Sequence, residues 1–446
     1  MNVLFLLHEQ HAEYTSEPAY TEVVRPFICS GFVTDSRDVV YQRMLRERRD
    51  HYLSKRLEHL RAIMLDRPVV VYGAGELTRK FFETLRDQFN VTALSDSNEN
   101  LWHKQFNSIP VIPPEDISRY SEDVLVSAYA SEAEIVRSLH ERYGSTIRIH
   151  PLLNETESDE AIHSGLEAAI VAHIDDFRPD LIVHTLTFAG ENLRGSFLKF
   201  IHERYPQIKM YTQWWDYAET IPRFLEFEKD CLRYSDMVGI IDSYSRYTKI
   251  RHRTGIYGDY PCVEKLHWHP TVFDPDIYMK TGESKHFDVC IMGSAEGRRK
   301  GFIDFLSKEY GEKFHHFGGR GVHEAFVSKD DYVSLLNQTR IFVNTQTSEQ
   351  RVQFKGKVRE ALSCGIFILE EDNPETRSFV KDGVGIRYFK DVADLKLKID
   401  YYLEHDDERE EIALKGYQWY HDNHDARSWV SYILHALNMD NGEWNT

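Results

Sequence analysis

Three stretches in the carboxyl-terminal third carry residue types that could hold an anion. Phe287 to Met292 is a strand-like run that passes into Gly293-Ser294 and then Arg298-Arg299-Lys300-Gly301. Small residues at the carboxyl end of a strand leave room for a ligand, and the cations beyond could neutralise a diphosphate. The plainer alternative is a solvated basic turn. Phe317-Gly318-Gly319-Arg320-Gly321 adds a second glycine-rich loop after a strand. The third stretch runs from Lys355-Gly356-Lys357-Val358-Arg359-Glu360 to Cys364-Gly365. Lys355 and Arg359 are four apart, so they share one helix face. The expected diphosphate ligands are Arg298, Lys300, Lys355 and Arg359. Gly293, Ser294, Gly319 and Arg320 shape the pocket, and the Glu360 carboxylate accepts from ribose or sugar hydroxyls.

Chemistry on a bound hydroxyl needs a base held beside it. His8, His184 and Asp216 stand at the carboxyl ends of strand-like runs and are the candidates for that role. Trp214 and Trp215, beside Asp216, could stack on a sugar ring. Structural polar residues at strand ends and core tryptophans are the alternative. Gly73-Ala74-Gly75 follows the run Val69-Val70-Val71-Tyr72, with Asp96 about twenty residues on, where an acid can meet a ribose hydroxyl. Thr78 replaces the third glycine of the dinucleotide-binding pattern. Gly73, Gly75 and Asp96 therefore mark a second nucleotide site or a fold unit without a ligand. Asp274-Pro275-Asp276 reads as a turn and not as a metal site.

These residues need scaffolds to position them. The chain has 446 residues, enough for two or three domains, and 41% are hydrophobic, enough for several cores. A net charge of −18 opposes binding to nucleic acid and other polyanions, while leaving room for a local basic pocket. The five cysteines are scattered, without zinc-ligand spacing, and fit a reduced, cytoplasmic protein. Asn2 to Leu7 is too short for a signal peptide or a membrane span. No transmembrane segment is expected, which leaves peripheral membrane contact open.

Strand-like and helix-like runs alternate along the chain, which predicts parallel sheets covered on both faces. A helix is expected from about Ser36 to Met64. A βαβ unit follows through the glycine turn at Gly73. Asn154 to Asp159 reads as an acidic linker. Strands then recur near 180–184, 209–212, 237–241, 287–292, 314–317, 341–344 and 365–369, and helices close the chain near 391–404 and 407–420.

Two resemblances sharpen this reading. Residues 67–140, with VVVYGAGELTRKFFETL, LSDSN and IPVIPPEDI, resemble the small Rossmann-like domains found beside sugar-modifying enzymes. Residues 287–436 resemble the carboxyl-terminal half of GT-B glycosyltransferases, in particular the group that includes the spore maturation protein CgeB. FDVCIMGSAEGRRKG, KGKVREALSCGIFILEED and the tail from Leu395 to Gly416 carry it. The resemblance implies an α/β fold made of a GT-B-like pair of Rossmann-like domains plus an inserted third Rossmann-like domain. The expected boundaries are 1–66 with 160–275 for the acceptor side, 67–153 for the insert and 276–446 for the donor side. It implies a metal-independent glycosyltransferase without a cofactor. The expected partners are a nucleotide-sugar and a glycan or protein acceptor of bacterial glycan biosynthesis, with no nucleic acid. Related retaining enzymes carry two glutamates with seven residues between them. Glu360 matches the second, and Val352 stands where the first would be. A GT-B scaffold that senses nucleotide-sugars without turnover is one alternative. An oxidoreductase centred on Gly73 and Asp96, binding NAD(H), is another.

Overall fold

Short runs of branched aliphatic residues become the central strands of three sheets. A computed structural model describes residues 1–8, 19–128, 131–186, 192–215, 222–241, 243–274, 276–318, 329–347 and 352–439. Along the chain the strands are β1 (Asn2–Leu7) and β2 (Asp35–Val40). Then come β3 (Pro68–Tyr72), β4 (Asn90–Ser95), β5 (Gln105–Phe106), β6 (Ile109–Ile112), β7 (Asp123–Val126) and β8 (Arg148–Pro151). Next are β9 (Leu181–Leu186), β10 (Lys209–Trp214), β11 (Met237–Ile240) and β12 (Leu266–Trp268). The last are β13 (Phe287–Met292), β14 (Phe314–Phe317), β15 (Thr339–Asn344), β16 (Phe367–Glu371) and β17 (Ile386–Phe389).

The sheet orders are β12-β11-β10-β9-β1-β2, β5-β6-β4-β3-β7-β8 and β14-β13-β15-β16-β17. Every described ladder is parallel except β5 with β6. Parallel strands need crossover connections, and the helices of those crossovers cover both faces. Strand β9 is accordingly buried along its whole length. The described chain divides into two units, residues 1–42 with 174–446, and residues 43–173. The second unit contains the β3–β8 sheet. The first contains the other two.

Two local expectations change. Residues 35–40 are strand, not helix; β2 pairs with β1 from Asn2 with Asp35 to Leu7 with Val40, and the helix begins only at Tyr41. A polar stretch became a strand because its partner, 33 residues away, supplies the ladder. The acidic segment 154–159 is not a linker but opens the helix Glu155–Phe177, since carboxylates in a first turn favour the positive end of the helix. The final helix, Ala426–Ala436, packs Trp429, Val430, Ile433 and Leu434 into the core that also holds Val3, Phe5 and Val183. Among the described residues no helix is long and apolar enough to cross a membrane.

Candidate functional site

In the last sheet β13 comes first in sequence, with β14 on one side and β15 on the other. The crossover direction reverses there, and in open parallel sheets the crevice that takes a ligand lies at such a point, here beyond the carboxyl ends of β13 and β15. Strand β13 passes into Gly293, whose φ is +115°, and β14 into Gly318, whose φ is +82°. The Gly293 amide donates to the Phe317 carbonyl at 2.8 Å, which joins the two strand ends. A side-chain carbon at Gly293 would lie 2.1 Å from Lys357 Nζ and 3.1 Å from Arg299 Nη1. Only a glycine lets two cations approach this turn so closely.

Arg299 is 5% exposed. Its Nη1 donates to the Ser294 carbonyl at 3.2 Å, its Nη2 to the Thr345 carbonyl at 3.0 Å, and its Nε reaches Thr345 Oγ1 at 3.4 Å. It thereby spans the crevice from β13 to β15. Lys357, in the helix Gly356–Ser363, donates from Nζ to the Met292 carbonyl at 2.9 Å. Part of its chain reaches solvent, yet its ammonium lies deep: burial, then the charge of Arg299, pushes its pKa down to about 8. Burial also lowers the pKa of Arg299. Among the described residues both cations bond only to neutral oxygens. Glu360 acts on Lys357, and Glu370, Glu296 and Glu371 on Arg299, through charge without a bond, and burial still outweighs them, so a bonded anion would stabilise the pair.

Acidic groups line the neighbouring strand end. Glu370, at the end of β16, is fully buried, and burial raises its pKa to about 8, so it is mostly protonated at neutral pH. It accepts from Asn344 Nδ2 at 2.6 Å and Asn373 Nδ2 at 3.0 Å. Glu371 accepts from the Gln346 amide at 2.9 Å and pairs with Arg298 at 2.5 Å.

The cations singled out from spacing take other places. Arg298 is held by Glu371. Lys300 pairs with Asp304 at 3.2 Å, both side chains being roughly two-thirds exposed (64% and 63%). Lys355 is the N-cap residue of the Gly356 helix and donates to Gln353 Oε1 at 3.1 Å. Arg359 is 2% exposed and turns toward the first sheet, donating to the Thr271 carbonyl at 2.5 Å. Its guanidinium is engaged in that internal tie. Glu360 accepts from Tyr332 Oη at 2.5 Å. Gly293 lies beside Lys357 and Arg299 and the Ser294 carbonyl accepts from Arg299, whereas Gly319 and Arg320 lie outside the described residues. The cations at the turn, Arg299 and Lys357, belong to the basic stretches 298–301 and 355–360 but carry no local signal of their own. Neighbouring residues on a helix face directions about 100° apart, and only its docking selects one.

At the first sheet, His8 follows β1. Its Nδ1 is 2.8 Å from Thr185 Oγ1, and its ring is 5.3 Å from Trp215. Burial lowers its pKa to about 4, so the ring is neutral at pH 7. His184 does not reach the surface: it is fully buried between Tyr41 and Phe227, with a pKa lowered to about 3 by burial and then by His8. That depth removes it from reach of an acceptor. Trp214 is core, fully buried, while Trp215 donates from Nε1 to Glu22 at 3.3 Å. Asp216 lies outside the described residues.

In the second unit Gly73 has φ +105°, and a side-chain carbon there would meet the Ser127 carbonyl at 2.5 Å. Gly75 faces open space and starts the helix Glu76–Gln88 without a capping side chain. Asp96 Oδ2 accepts from the Ala74 amide at 2.8 Å and Oδ1 from the Asn98 amide at 2.8 Å, so its carboxylate closes its own loop. The Thr78 hydroxyl, in place of the third glycine, bonds to Ser127 Oγ at 2.9 Å. Asp274 and Asp276 share Arg25, at 2.7 Å and 3.1 Å, and the Asp276 amide donates to Asp274 Oδ1 at 3.0 Å.

Residues 298–435 match the family model described as glycosyl transferase-like, and residues 65–149 match that of the C2185-like amino-terminal domain. No curated protein shows a significant match to the chain. Among solved structures, Anabaena Alr3699/HepE in complex with UDP is similar at 13% identity, over 83% of this chain and 99% of that one, with a TM-score of 0.44. TarM is similar at 10% identity, over 83% and 99%, with a TM-score of 0.46. A glycosyltransferase from Rickettsia africae ESF-5 is similar at 10% identity, over 84% and 98%, with a TM-score of 0.43.

Proposed function

We propose that this chain, whose residues 298–435 form a glycosyl transferase-like domain, moves a sugar from a nucleotide-diphosphate donor to a glycan or protein hydroxyl. The observation that carries the reading is the pair Arg299 and Lys357, two desolvated cations converging on the Gly293 turn and bonded, among the described residues, to neutral oxygens. A diphosphate has the charge to satisfy both. In the transfer step negative charge builds on the leaving diphosphate as the bond from the sugar's anomeric carbon to its oxygen breaks. Preformed cations in a site of low dielectric stabilise that charge without reorganising. In this reading charge neutralisation rests on side chains and not on a metal.

His8 is the acceptor-side group we assign. With Nδ1 directed at Thr185 Oγ1, a neutral imidazole can keep Nε2 as the acceptor for a hydroxyl proton. The proton of the attacking hydroxyl then passes to His8 as the new glycosidic bond forms. A cytoplasmic setting fits the five unpaired cysteines.

A thermal-shift screen of the full chain against UDP-, GDP-, CMP- and dTDP-sugars, with NAD(H) alongside, tests the reading. A ligand that binds only the folded state raises the melting temperature by mass action. Stabilisation by one nucleotide-sugar class, lost in Lys357→Met, is expected. Stabilisation by NAD(H) alone would move the chemistry to the Gly73 turn and overturn the assignment.

A further inference from the structure

We propose that Glu22 is a positioning residue that aligns the acceptor-side His8 with the donor-side helix Gly356–Ser363. This rests on the glycosyl transfer reading above. Glu22 sits in a single π-helical turn, Tyr20–Val24, and is 6% exposed. Such turns are rare and are frequent at functional sites, because the wider ladder re-aims a side chain. One carboxylate oxygen, Oε2, gathers three elements. It accepts from Thr271 Oγ1 at 2.5 Å, in the segment between the two sheets. It accepts from Trp215 Nε1 at 3.3 Å, at the end of β10. It lies 3.7 Å from Arg359 Nη2, on the helix of the last sheet.

Two of those partners, Trp215 and Arg359, lead to groups with a proposed role. Trp215 packs its ring against His8 at 5.3 Å. Arg359 is two residues from Lys357, whose ammonium faces the anion crevice. Arg359 also donates to the Thr271 carbonyl at 2.5 Å and hydroxyl at 3.2 Å, so the contact is a closed polar triangle and not a single pair. Burying a carboxylate is costly unless it is bonded, and an apolar side chain of similar volume often serves stability as well. A charge kept at this junction is therefore explained by the geometry that it imposes. Displacing one reacting group by about 1 Å relative to another can cost about a hundredfold in rate.

The test is Glu22→Gln in the full chain, assayed by release of nucleotide from UDP-glucose, UDP-N-acetylglucosamine and GDP-mannose. Affinity for the bare nucleotide diphosphates UDP and GDP is measured alongside. The expected result is a kcat about 10- to 100-fold lower, with UDP or GDP affinity within about twofold of wild type. The loss should shrink when His8 is already Ala, because residues acting through one another are not additive. A folded Glu22→Gln with unchanged kcat overturns the proposal, as does a loss that adds fully to that of His8→Ala. If Glu22→Gln does not fold, Trp215→Phe removes the indole N–H while keeping a ring beside His8, and the same outcomes apply. Failure of the wild-type chain to bind any of these nucleotides overturns the transfer reading and this proposal with it.

Discussion

The Lys357 ammonium occupies the space that a side chain on Gly293 would fill, 2.1 Å from the position of such a carbon. Backbone conformation and charge placement are thus one feature at this turn. Gly293→Ala places a β-carbon at φ +115°, a conformation costing about 1–3 kcal/mol for a residue other than glycine. It also pushes the lysine off the Met292 carbonyl. The expected outcome is a lower melting temperature together with UDP or GDP affinity reduced by about tenfold or more, read by calorimetry. A variant that loses stability but keeps full affinity would separate the glycine from the anion site.

Removing the lysine charge should move stability and binding in opposite directions. The ammonium is disfavoured in the folded state, since burial and Arg299 take its pKa from 10.5 to about 8. This lowered value is a penalty at neutral pH that is relieved as pH rises from about 8 to 10.5. Lys357→Met abolishes the penalty but loses the bond to Met292, for a net gain of about 1–2 kcal/mol in urea unfolding at pH 7. Binding of nucleotide diphosphates should fall to the limit of detection.

The same lysine gives binding a proton signature. Above pH 8 the free protein holds Lys357 largely neutral. A diphosphate beside it favours the charged form, so binding at about pH 8.5 takes up a proton. Calorimetry in buffers of different ionisation enthalpy should report an uptake that Lys357→Met abolishes. Equal heats in all buffers would place the anion elsewhere.

Acid should weaken the fold through histidines kept neutral by burial. His8 and His424 have pKa values lowered to about 4, and His184 and His269 to about 3, from 6.5. In the unfolded chain each takes a proton as pH falls below 6.5, whereas the folded chain resists until about 3 to 4. Their contribution is therefore complete above 6.5 and is lost as pH falls through that window. Urea midpoints at pH 7 and pH 5 should differ markedly, and His184→Gln should flatten the slope by up to about 1 kcal/mol per pH unit.

Arg359 should behave as a structural tie and not as a ligand. Arg359→Met strands the buried Glu22 carboxylate, with an expected loss of about 3 kcal/mol. UDP or GDP affinity in the folded fraction should change less than about threefold. A selective loss of affinity at unchanged melting temperature would restore it to the diphosphate site.

Much of this protein is written locally. Runs such as Val69 to Tyr72 and Phe287 to Met292 are strands because continuous branched and apolar residues suit a sheet buried on both faces. The turn at Gly293 was legible because a glycine followed by serine and cations after such a run is a local pattern. So was the fold class, through the alternation of strand and helix. Residues 35–40 were not legible, because their strand exists through pairing with β1 and not through their own polar composition. Nor was the choice among cations. Arg298, Arg299 and Lys300 are equivalent in a list, as are Lys355, Lys357 and Arg359. Their directions differ by the pitch of a helix: Arg298 meets Glu371, Lys300 the exposed Asp304 and Arg299 the turn, while Lys355 meets Gln353, Arg359 the Thr271 carbonyl and Lys357 the turn. That choice is made by how each helix docks on its sheet. It is a property of long-range packing, and sequence spacing carries no record of it.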